Sequence, residues 1–292
     1  MKRNHYLLLL PLLLWLTSCG GYKPKTLNPD VSYDDVYLIM GQSNASGVAS
    51  HAFLEESNLE LYQRYKEGNP KVLISYDVDE RIETNYVPTR FGFGHSEEFF
   101  GPEIGIAETL NQKEGTSYLI KASWSGSCLQ TEYINRFGQK LKFYQRFIAF
   151  IKQQLTALET QGKHPRVRGL FWMQGESDSC LSNPRTYFEA EQQFFESLRI
   201  DINQWIYEYF NFVDAYISTS SPSWIDPKTI NDCKQRLADE NKHCYCIKTN
   251  GEDESALKLH LKSESGEDDD VAHYDSKSML LLGKTVGQYL IK

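Results

Sequence analysis

The sequence predicts an α/β protein built as a three-layer α/β/α sandwich, with helices on both faces of a parallel sheet. Short apolar runs alternate with longer segments whose apolar residues recur at helical spacing, which is the pattern of parallel strands joined by helical crossovers. The length of 292 residues, 40% of them hydrophobic, is enough to bury one large core. The net charge of −8 argues against nucleic-acid binding, since such proteins usually carry a basic face.

The first half of the chain supplies five of the predicted elements. Residues 36–40 (VYLIM) form an apolar run that stops at Gly41 and predict a buried strand. Residues 71–76 (KVLISY) predict a second strand, in an inserted hairpin. Pro102 suits an early helical position and opens a helix over 102–111. The last two elements are a strand at 117–122 (SYLIKA) and a helix at 143–158 with apolar residues at helical spacing.

The second half repeats the alternation. The predicted strands are 167–173 (VRGLFWM), 212–217 (FVDAYI) and 244–248, and the predicted helices are 184–207, 230–241 and 275–291. Residues 50–100 fit this rhythm poorly, being rich in Glu, Asn and Tyr, so we expect an insertion over the sheet edge near a cleft. Sites in such folds form at the carboxyl ends of the strands.

The first residues have the composition of an export signal. Lys2 and Arg3 precede the apolar run 6–16, which is too short to span a membrane as a helix. The run ends in Leu16-Thr17-Ser18-Cys19, which resembles the bacterial lipoprotein motif whose cysteine is acylated. An ordinary cleavage site, with Cys19 as an incidental thiol, is the alternative.

The lipoprotein interpretation defines the expected organisation. Residues 1–18 are the signal peptide, 19–30 are a polar tether and 31–292 are a single domain. Acylation of Cys19 would anchor the exported protein to a bacterial membrane, at the periplasm or cell surface. Residue 20, directly after the lipidation site, is Gly rather than Asp. By resemblance to bacterial lipoproteins, this favours the outer membrane.

Four segments carry side chains suited to nucleophilic catalysis. In 41–47 (GQSNASG) a glycine turn after a strand can present the Ser43 hydroxyl. In 121–129 (KASWSGSCL) Gly126 can donate an N–H to an oxyanion. In 169–178 (GLFWMQGESD) the Gln174 amide can donate to the same oxyanion. In 270–273 (DVAH) Asp270 can orient His273, which then accepts the serine proton.

Each segment taken alone also has an ordinary structural interpretation. Residues 41–47 suit a polar strand-to-helix turn, and Glu176 and Asp178 suit the first turn of a helix. The acidic run 267–270 suits a solvated loop with His273 on the surface. The sequence of each segment does not decide between these interpretations.

Together the segments resemble the SGNH hydrolases, specifically the sialate O-acetylesterase-like domain shared with carbohydrate esterase family six. GQSNASG is similar to the nucleophile block, FGPEIG (100–105) to the helix-start signature, and IKASWSGS to the glycine block. WMQGESD is similar to the third block and DVAH to the closing Asp-x-x-His. The blocks occur in the family's order from residue 36 to about 290, which implies an SGNH fold with a flavodoxin-like sheet.

The resemblance implies roles for individual residues. Ser43 is the expected nucleophile and His273 its general base, with Asp270 behind His273. Glu176 competes with Asp270 for the acid role. The implied oxyanion hole combines the amides of Ser43 and Gly126 with the Gln174 side chain. Expected contacts to a sugar are made by Gln42, Asn44, Trp124 and Tyr86.

The implied reaction is removal of O-acetyl groups from carbohydrate through an acyl-serine intermediate. The expected substrate is acetylated sialic acid or a plant-type polysaccharide such as xylan, and neither a metal nor an organic cofactor is expected. Two alternatives stay open: an SGNH esterase or lipase of other acyl specificity, and a non-catalytic carbohydrate-binding lipoprotein.

Two features of the blocks invite structural tests. The family's glycine block often reads Gly-Gly, whereas here Ser125 precedes Gly126. Cys128 and Cys180 follow two blocks that end neighbouring strands, so we expect a disulfide between them, because an exported protein can form one. Further cysteines suggest weaker possibilities, namely Cys233 paired with Cys244 or Cys246, or a zinc site of non-standard spacing that adds His243.

Overall fold

The computed structural model describes residues 23–251 and 253–292, arranged around a seven-stranded sheet. The predicted signal peptide and the lipidation site Cys19 lie outside these residues. The strands are β1 (Asp34–Gly41), β2 (Ala49–Ser50), β3 (Asn69–Val78), β4 (Arg81–Thr89), β5 (Phe99–Phe100), β6 (Ser117–Ser123), β7 (Pro165–Met173), β8 (Asn211–Ala215) and β9 (Cys244–Ile247). The α-helices are α1 (Ser43–Ser46), α2 (His51–Ser57), α3 (Leu59–Lys66), α4 (Glu103–Leu110), α5 (Lys142–Thr160), α6 (Glu176–Ser179), α7 (Tyr187–Asp201), α8 (Pro227–Glu240), α9 (Lys262–Ser265) and α10 (Ser276–Leu290).

The strand order of the large sheet is β4-β3-β6-β1-β7-β8-β9, and every neighbouring pair is parallel except the β3–β4 hairpin. The five strands from β6 to β9 have the order 2-1-3-4-5 when numbered along the chain, which is the flavodoxin-like order. The predicted α/β sandwich is therefore confirmed, with a mixed rather than purely parallel sheet. The strand order reverses between β1 and β7, because β6 lies on one side of β1 and β7 on the other. A crevice is therefore expected at the carboxyl ends of β1 and β7.

Both faces of the sheet are covered, as the apolar strands require. Alternate residues of β1 enter two separate cores. Val36, Leu38 and Met40 pack under the face covered by α5, α7 and α8, while Tyr37 and Ile39 pack under the face covered by α4 and α10. Within the described part of the chain, no helix is long and apolar enough to cross a membrane.

Two predicted elements are shorter in the structure than the sequence pattern indicates. The predicted helix 184–207 consists of a 3₁₀ turn at Pro184–Thr186, α7, and a second 3₁₀ turn at Asn203–Trp205. The predicted strand 212–217 ends at Ala215, because the Asn231 side chain takes over the backbone groups of Ile217, accepting from its N–H at 2.8 Å and donating to its carbonyl at 3.0 Å.

The poorly fitting segment 50–100 extends the sheet at one edge. It contains α2, α3 and the β3–β4 hairpin, and β3 pairs in parallel with β6. The strand predicted at 71–76 lies within β3, and the turn that joins β3 to β4 lies at the same end of the sheet as the carboxyl ends of β1 and β6.

The buried side chain of Lys121 joins both α4 and this segment to the central sheet. Lys121 on β6 places Nζ 2.7 Å from Glu103 Oε2 and donates to the Phe93 carbonyl at 2.9 Å, and both charged side chains are fully buried. The other oxygen of Glu103 accepts from the Gly101 N–H at 2.8 Å. Glu103 is the acidic residue of the FGPEIG signature, so the carboxylate of that signature has a structural role, as the partner of Lys121.

Replacing Lys121 with Met is expected to lower the free energy of unfolding by about 3–5 kcal/mol, because the Glu103 carboxylate would be left buried without its cation. The double variant Lys121→Met/Glu103→Leu is expected to recover a large part of that loss. Urea denaturation followed by circular dichroism measures both. Equal destabilisation by the single and double variants would contradict this interpretation of the pair.

Candidate active site

Ser43 lies at the first turn after the central strand β1. Gly41 has φ +151°, and a Cβ there would lie 1.9 Å from the Met173 carbonyl oxygen, so the turn requires glycine. The next amide, of Gln42, donates to that same Met173 carbonyl at 3.0 Å. The chain then enters the short helix α1, whose first residue is Ser43, with 7% of its surface exposed. The glycine turn thus presents the Ser43 hydroxyl at the expected crevice.

A hydrogen-bonded chain joins Ser43 to the last loop of the protein. His273 Nε2 lies 2.8 Å from Ser43 Oγ, and His273 Nδ1 lies 2.6 Å from Asp270 Oδ2. The other oxygen of Asp270 accepts from the amides of Ala272 at 2.7 Å and His273 at 3.3 Å. The three-residue spacing therefore gives the predicted turn, in which one carboxylate fixes both the backbone and the imidazole.

The surroundings of Asp270 favour its ionised form. Partial burial acts to raise the pKa of Asp270, but the hydrogen bonds from the His273 ring and the Ala272 amide outweigh it and lower the pKa below its usual value. An ionised Asp270 keeps the proton of a neutral His273 on Nδ1, which leaves Nε2 free to accept a proton from Ser43.

The acidic run before Asp270 anchors the histidine loop. Glu267 has only 1% of its side chain exposed. Its carboxylate accepts from the amides of Ser50 and Ser276, both at 2.8 Å, and from the Ser276 hydroxyl at 2.6 Å. The loop that carries His273 is thereby attached to the first turn of α10 and to the start of α2.

Asp270, and not the competing candidate Glu176, is the carboxylate hydrogen-bonded to the His273 ring. The Glu176 carboxyl group accepts from Asn44 Nδ2 at 2.9 Å, and Asn44 Oδ1 accepts from the Tyr274 amide at 3.2 Å. Burial raises the pKa of Glu176, despite the opposing hydrogen bond from Asn44. Glu176 therefore supports the residue after His273 through Asn44.

The residues predicted to contact a sugar are largely enclosed. Asn44 and Gln42 are each 2% exposed, and the Gln42 side-chain amide lies 3.1 Å from Gln174 Nε2. Their contact with a sugar stays a prediction. Trp124 is 3% exposed and stacks on Phe143 with ring centroids 4.7 Å apart, although it lines a cavity of about 520 Å³. Tyr86 packs edge-on against Tyr118, at the β3–β4 side of the sheet.

The predicted donors of the oxyanion hole have different surroundings. Gly126 is exposed, has φ +69°, and has open space where a Cβ would lie. Gln174 is fully buried, and its Nε2 donates to the Ser127 carbonyl at 3.0 Å and to Asp178 Oδ2 at 2.7 Å. Both side-chain N–H groups of Gln174 therefore have acceptors inside the protein in this structure, and its oxyanion role stays a prediction.

The predicted disulfide between Cys128 and Cys180 is wrong, since both are free thiols. The carboxylate of Asp178 joins the two loops instead, accepting from the amides of Leu129 at 2.7 Å and Gln130 at 3.2 Å. The Cys180 thiol instead donates to the Ser223 carbonyl, at 3.6 Å from Sγ to the oxygen. The weaker pairing of Cys233 with Cys244 or Cys246 is likewise absent among the described residues.

Thiol reactivity provides a direct check on this cysteine assignment. Unfolded, unreduced protein starting at residue 20 is expected to show five thiols, and the native protein one fast-reacting thiol, that of exposed Cys180. Burial raises the pKa of Cys128 to about 12, of Cys233 to about 11, of Cys244 to about 12 and of Cys246 well above its usual value, so these react slowly. Cys180→Ser serves as the control. Detection of only three thiols in the unfolded, unreduced protein would show that one disulfide is present.

Several site residues escaped the sequence interpretation. The sequence pattern at Asp178 indicates a residue in the first turn of a helix, whereas the structure shows its carboxylate joining two loops. Ser177, whose hydroxyl donates to the Gly126 carbonyl at 3.0 Å, and Glu267 carried no distinctive pattern. Among the described residues, no group of three or more His, Cys, Asp or Glu side chains is arranged to hold a metal ion.

The sheet order and the chain from Ser43 through His273 to Asp270 define a hydrolase of the SGNH class. Residues 33–292 match the model of the family described as carbohydrate esterase, sialic acid-specific acetylesterase. The chain belongs to that family, and it is a carboxylic ester hydrolase of the carbohydrate acetylesterase type.

Solved structures share the fold. A protein from Arabidopsis thaliana superposes with a TM-score of 0.65 at 16% identity, covering 89% of this chain and 98% of the other. NanS superposes with a TM-score of 0.61 at 14% identity, again covering 89% and 98%. No curated protein matches the chain by sequence.

Proposed function

We propose that the protein is a serine esterase that removes O-acetyl groups from carbohydrate through an acyl-serine intermediate. The observation that carries the proposal is the hydrogen-bonded chain from Ser43 Oγ to His273 Nε2 at 2.8 Å and from His273 Nδ1 to Asp270 at 2.6 Å. A hydroxyl becomes an effective nucleophile when an adjacent base, itself oriented by a third group, can accept its proton.

The proposed reaction has two halves. His273 Nε2 accepts the Ser43 proton while Oγ bonds to the acetyl carbon, and the resulting imidazolium is stabilised by ionised Asp270. His273 then donates that proton to the departing sugar oxygen as the carbon–oxygen bond breaks, which leaves acetyl-Ser43. In the second half water replaces the serine hydroxyl, and hydrolysis of the acetyl-serine returns acetate and free enzyme.

The oxyanion of each tetrahedral intermediate would be held by the amides of Ser43 and Gly126. Backbone N–H groups at a tight turn suit this role because they are fixed before the reaction begins. Gln174 would support them indirectly, since its side chain holds the Ser127 carbonyl beside Gly126.

The proposed substrates are acetylated sialic acid and acetylated plant-type polysaccharide such as xylan. The family description supports the sialic acid class. The cavity of about 520 Å³ beside Trp124 and Ser125 gives space for a sugar next to the Gly126 loop.

We also propose that the protein is exported and anchored to a bacterial membrane, the outer one favoured, through lipid on Cys19. The basic start, short apolar run and Leu-Thr-Ser-Cys sequence support this.

Acetate release from acetylated sialic acid and from acetylated xylan tests the proposed function. The chain from residue 20 is compared with its Ser43→Ala variant, with a thermal melt to establish that both are folded. Release by the parent alone supports the nucleophile, and the preferred substrate identifies the sugar class. Release by neither folded protein would contradict the proposal, and faster hydrolysis of octanoyl than acetyl esters would indicate another acyl specificity.

A further inference from the structure

A polar cluster outside the four motifs touches the glycine block. It is centred on Asp79, in the turn between β3 and β4, a non-glycine residue with φ +53°. Asp79 Oδ1 accepts from the Ser125 amide at 2.6 Å, and Asp79 Oδ2 accepts from the Ser125 hydroxyl at 3.0 Å. His95 Nδ1 lies 2.8 Å from the same Oδ2. The carboxylate thus binds both the backbone and the side chain of the residue before Gly126.

These contacts flank the peptide that bears the Gly126 N–H. Asp79 holds the peptide group before it, through the Ser125 amide, while Ser177 holds the one after it, through the Gly126 carbonyl at 3.0 Å. No atom lies within 4 Å of a Cβ position at Gly126, so packing on that side does not restrain the loop. Hydrogen bonds from two neighbouring segments restrain it instead.

The cluster also reaches the nucleophile block. The Asp79 amide donates to the Ser123 carbonyl at 3.0 Å, and the His95 amide donates to the Gly47 carbonyl at 2.8 Å. The 50–100 segment is therefore hydrogen-bonded to both the glycine block and the nucleophile block. The departure from Gly-Gly also has a physical reason, since the Ser125 hydroxyl provides a second hydrogen bond to Asp79.

We infer that Asp79 is a positioning residue that aims the Gly126 N–H at the oxyanion through its two hydrogen bonds to Ser125. This inference rests on the proposed function, because it assigns the Gly126 amide to the oxyanion hole. An oxyanion donor acts on the transition state more than on the bound substrate, so its misplacement lowers kcat and changes KM little.

Asp79→Gly is the variant of choice, because glycine adopts φ +53° without strain and removes only the carboxylate. Loss of a complete donor costs about 10²–10³ in rate, and we expect a displaced donor to cost about 10–100-fold in kcat with KM within about twofold. Asp79→Asn keeps an oxygen for the Ser125 amide and is expected to rescue most of this loss. Glu80→Ala, at an exposed carboxylate of the same turn, is the matched control.

Labelling of Ser43 by diisopropyl fluorophosphate tests the inference without any sugar. Ser43 Oγ bonds to phosphorus as fluoride leaves, and the phosphoryl oxygen takes the oxyanion position. Intact mass gives the second-order rate constant, and 4-nitrophenyl acetate gives kcat and KM. We expect labelling to be at least about tenfold slower in Asp79→Gly than in the parent. We expect it to be less than about threefold slower in Asp79→Asn and Glu80→Ala.

The outcomes separate this inference from the proposed function. Labelling of folded Asp79→Gly at the parental rate would overturn the positioning role. Equal slowing by Asp79→Gly and Asp79→Asn would also overturn it, because the amide contact would then not matter. A parent that is labelled but hydrolyses no acetylated carbohydrate would refute the proposed substrate alone. A folded parent that is not labelled would refute both.

Discussion

Ser43→Ala, His273→Ala and the double variant are expected to lose ester hydrolysis to about the same extent, roughly 10⁴–10⁶-fold in kcat. The reason is the 2.8 Å contact between Ser43 Oγ and His273 Nε2. The base has no proton to accept without the serine hydroxyl, and the hydroxyl is a weak nucleophile without the base. Groups that act as one unit show grossly non-additive losses.

Single-turnover acetate release at high enzyme concentration measures rates this low. The matched control is His260→Ala, which removes an exposed histidine that precedes α9 and lies outside the hydrogen-bonded chain, and it is expected to keep parental activity. Losses that multiply in the double variant would show that Ser43 and His273 act independently. That result would exclude the proposed nucleophile–base pair.

The second large effect distinguishes the two candidate acids. Asp270→Asn is expected to lower kcat by about 10²–10⁴-fold, because the asparagine amide favours the wrong tautomer of His273 and no longer stabilises its cation. Glu176→Gln is expected to cost less than about fivefold, the worth of roughly one neutral hydrogen bond, since Gln keeps an oxygen for Asn44. The reversed order of effects would make Glu176 the acid.

The pH dependence gives the same comparison a second readout. The pKa of Asp270 lies below its usual value, so Asp270 stays ionised throughout the neutral range and its protonation does not limit activity there. Protonation of Asp270 is therefore expected to add no acidic limb to the kcat profile of the parent between about pH 6 and 9, whereas Asp270→Asn is less active than the parent across that whole range. By linkage, the stability that Asp270 contributes is lost only as pH falls through its lowered pKa in the folded protein.

The sequence predicted those features that depend on local pattern. Strand β1 was visible because an apolar run ends at a glycine, and the Asp270–His273 turn was visible because a spacing of three fits one turn. The helices α2 and α3 were not predicted, since each has only one buried residue, Leu54 and Tyr65, and so shows little apolar periodicity.

The contacts between loops could not be predicted, because they depend on how distant segments meet. Asp178 lies two residues before Cys180, so both could reach the loop that carries Cys128. In the structure the Asp178 carboxylate joins the two loops, and the two cysteines are free thiols. Gln174 occupies the place that the family motif assigns to it, yet its N–H groups are already used inside the protein. The motif identified Gln174 from its position in the sequence, but it did not predict which acceptors its N–H groups would contact.

The 230 positions that separate Ser43 from His273 have a consequence for biosynthesis. Ribosomes add about 5–20 residues per second, so the nucleophile emerges roughly 10–50 seconds before its base. During that interval the nascent chain holds an ordinary, unreactive serine. Premature termination or proteolytic loss of residues 269–292 therefore yields a product that keeps Ser43 but lacks both the base and α10, and we expect it to have no esterase activity.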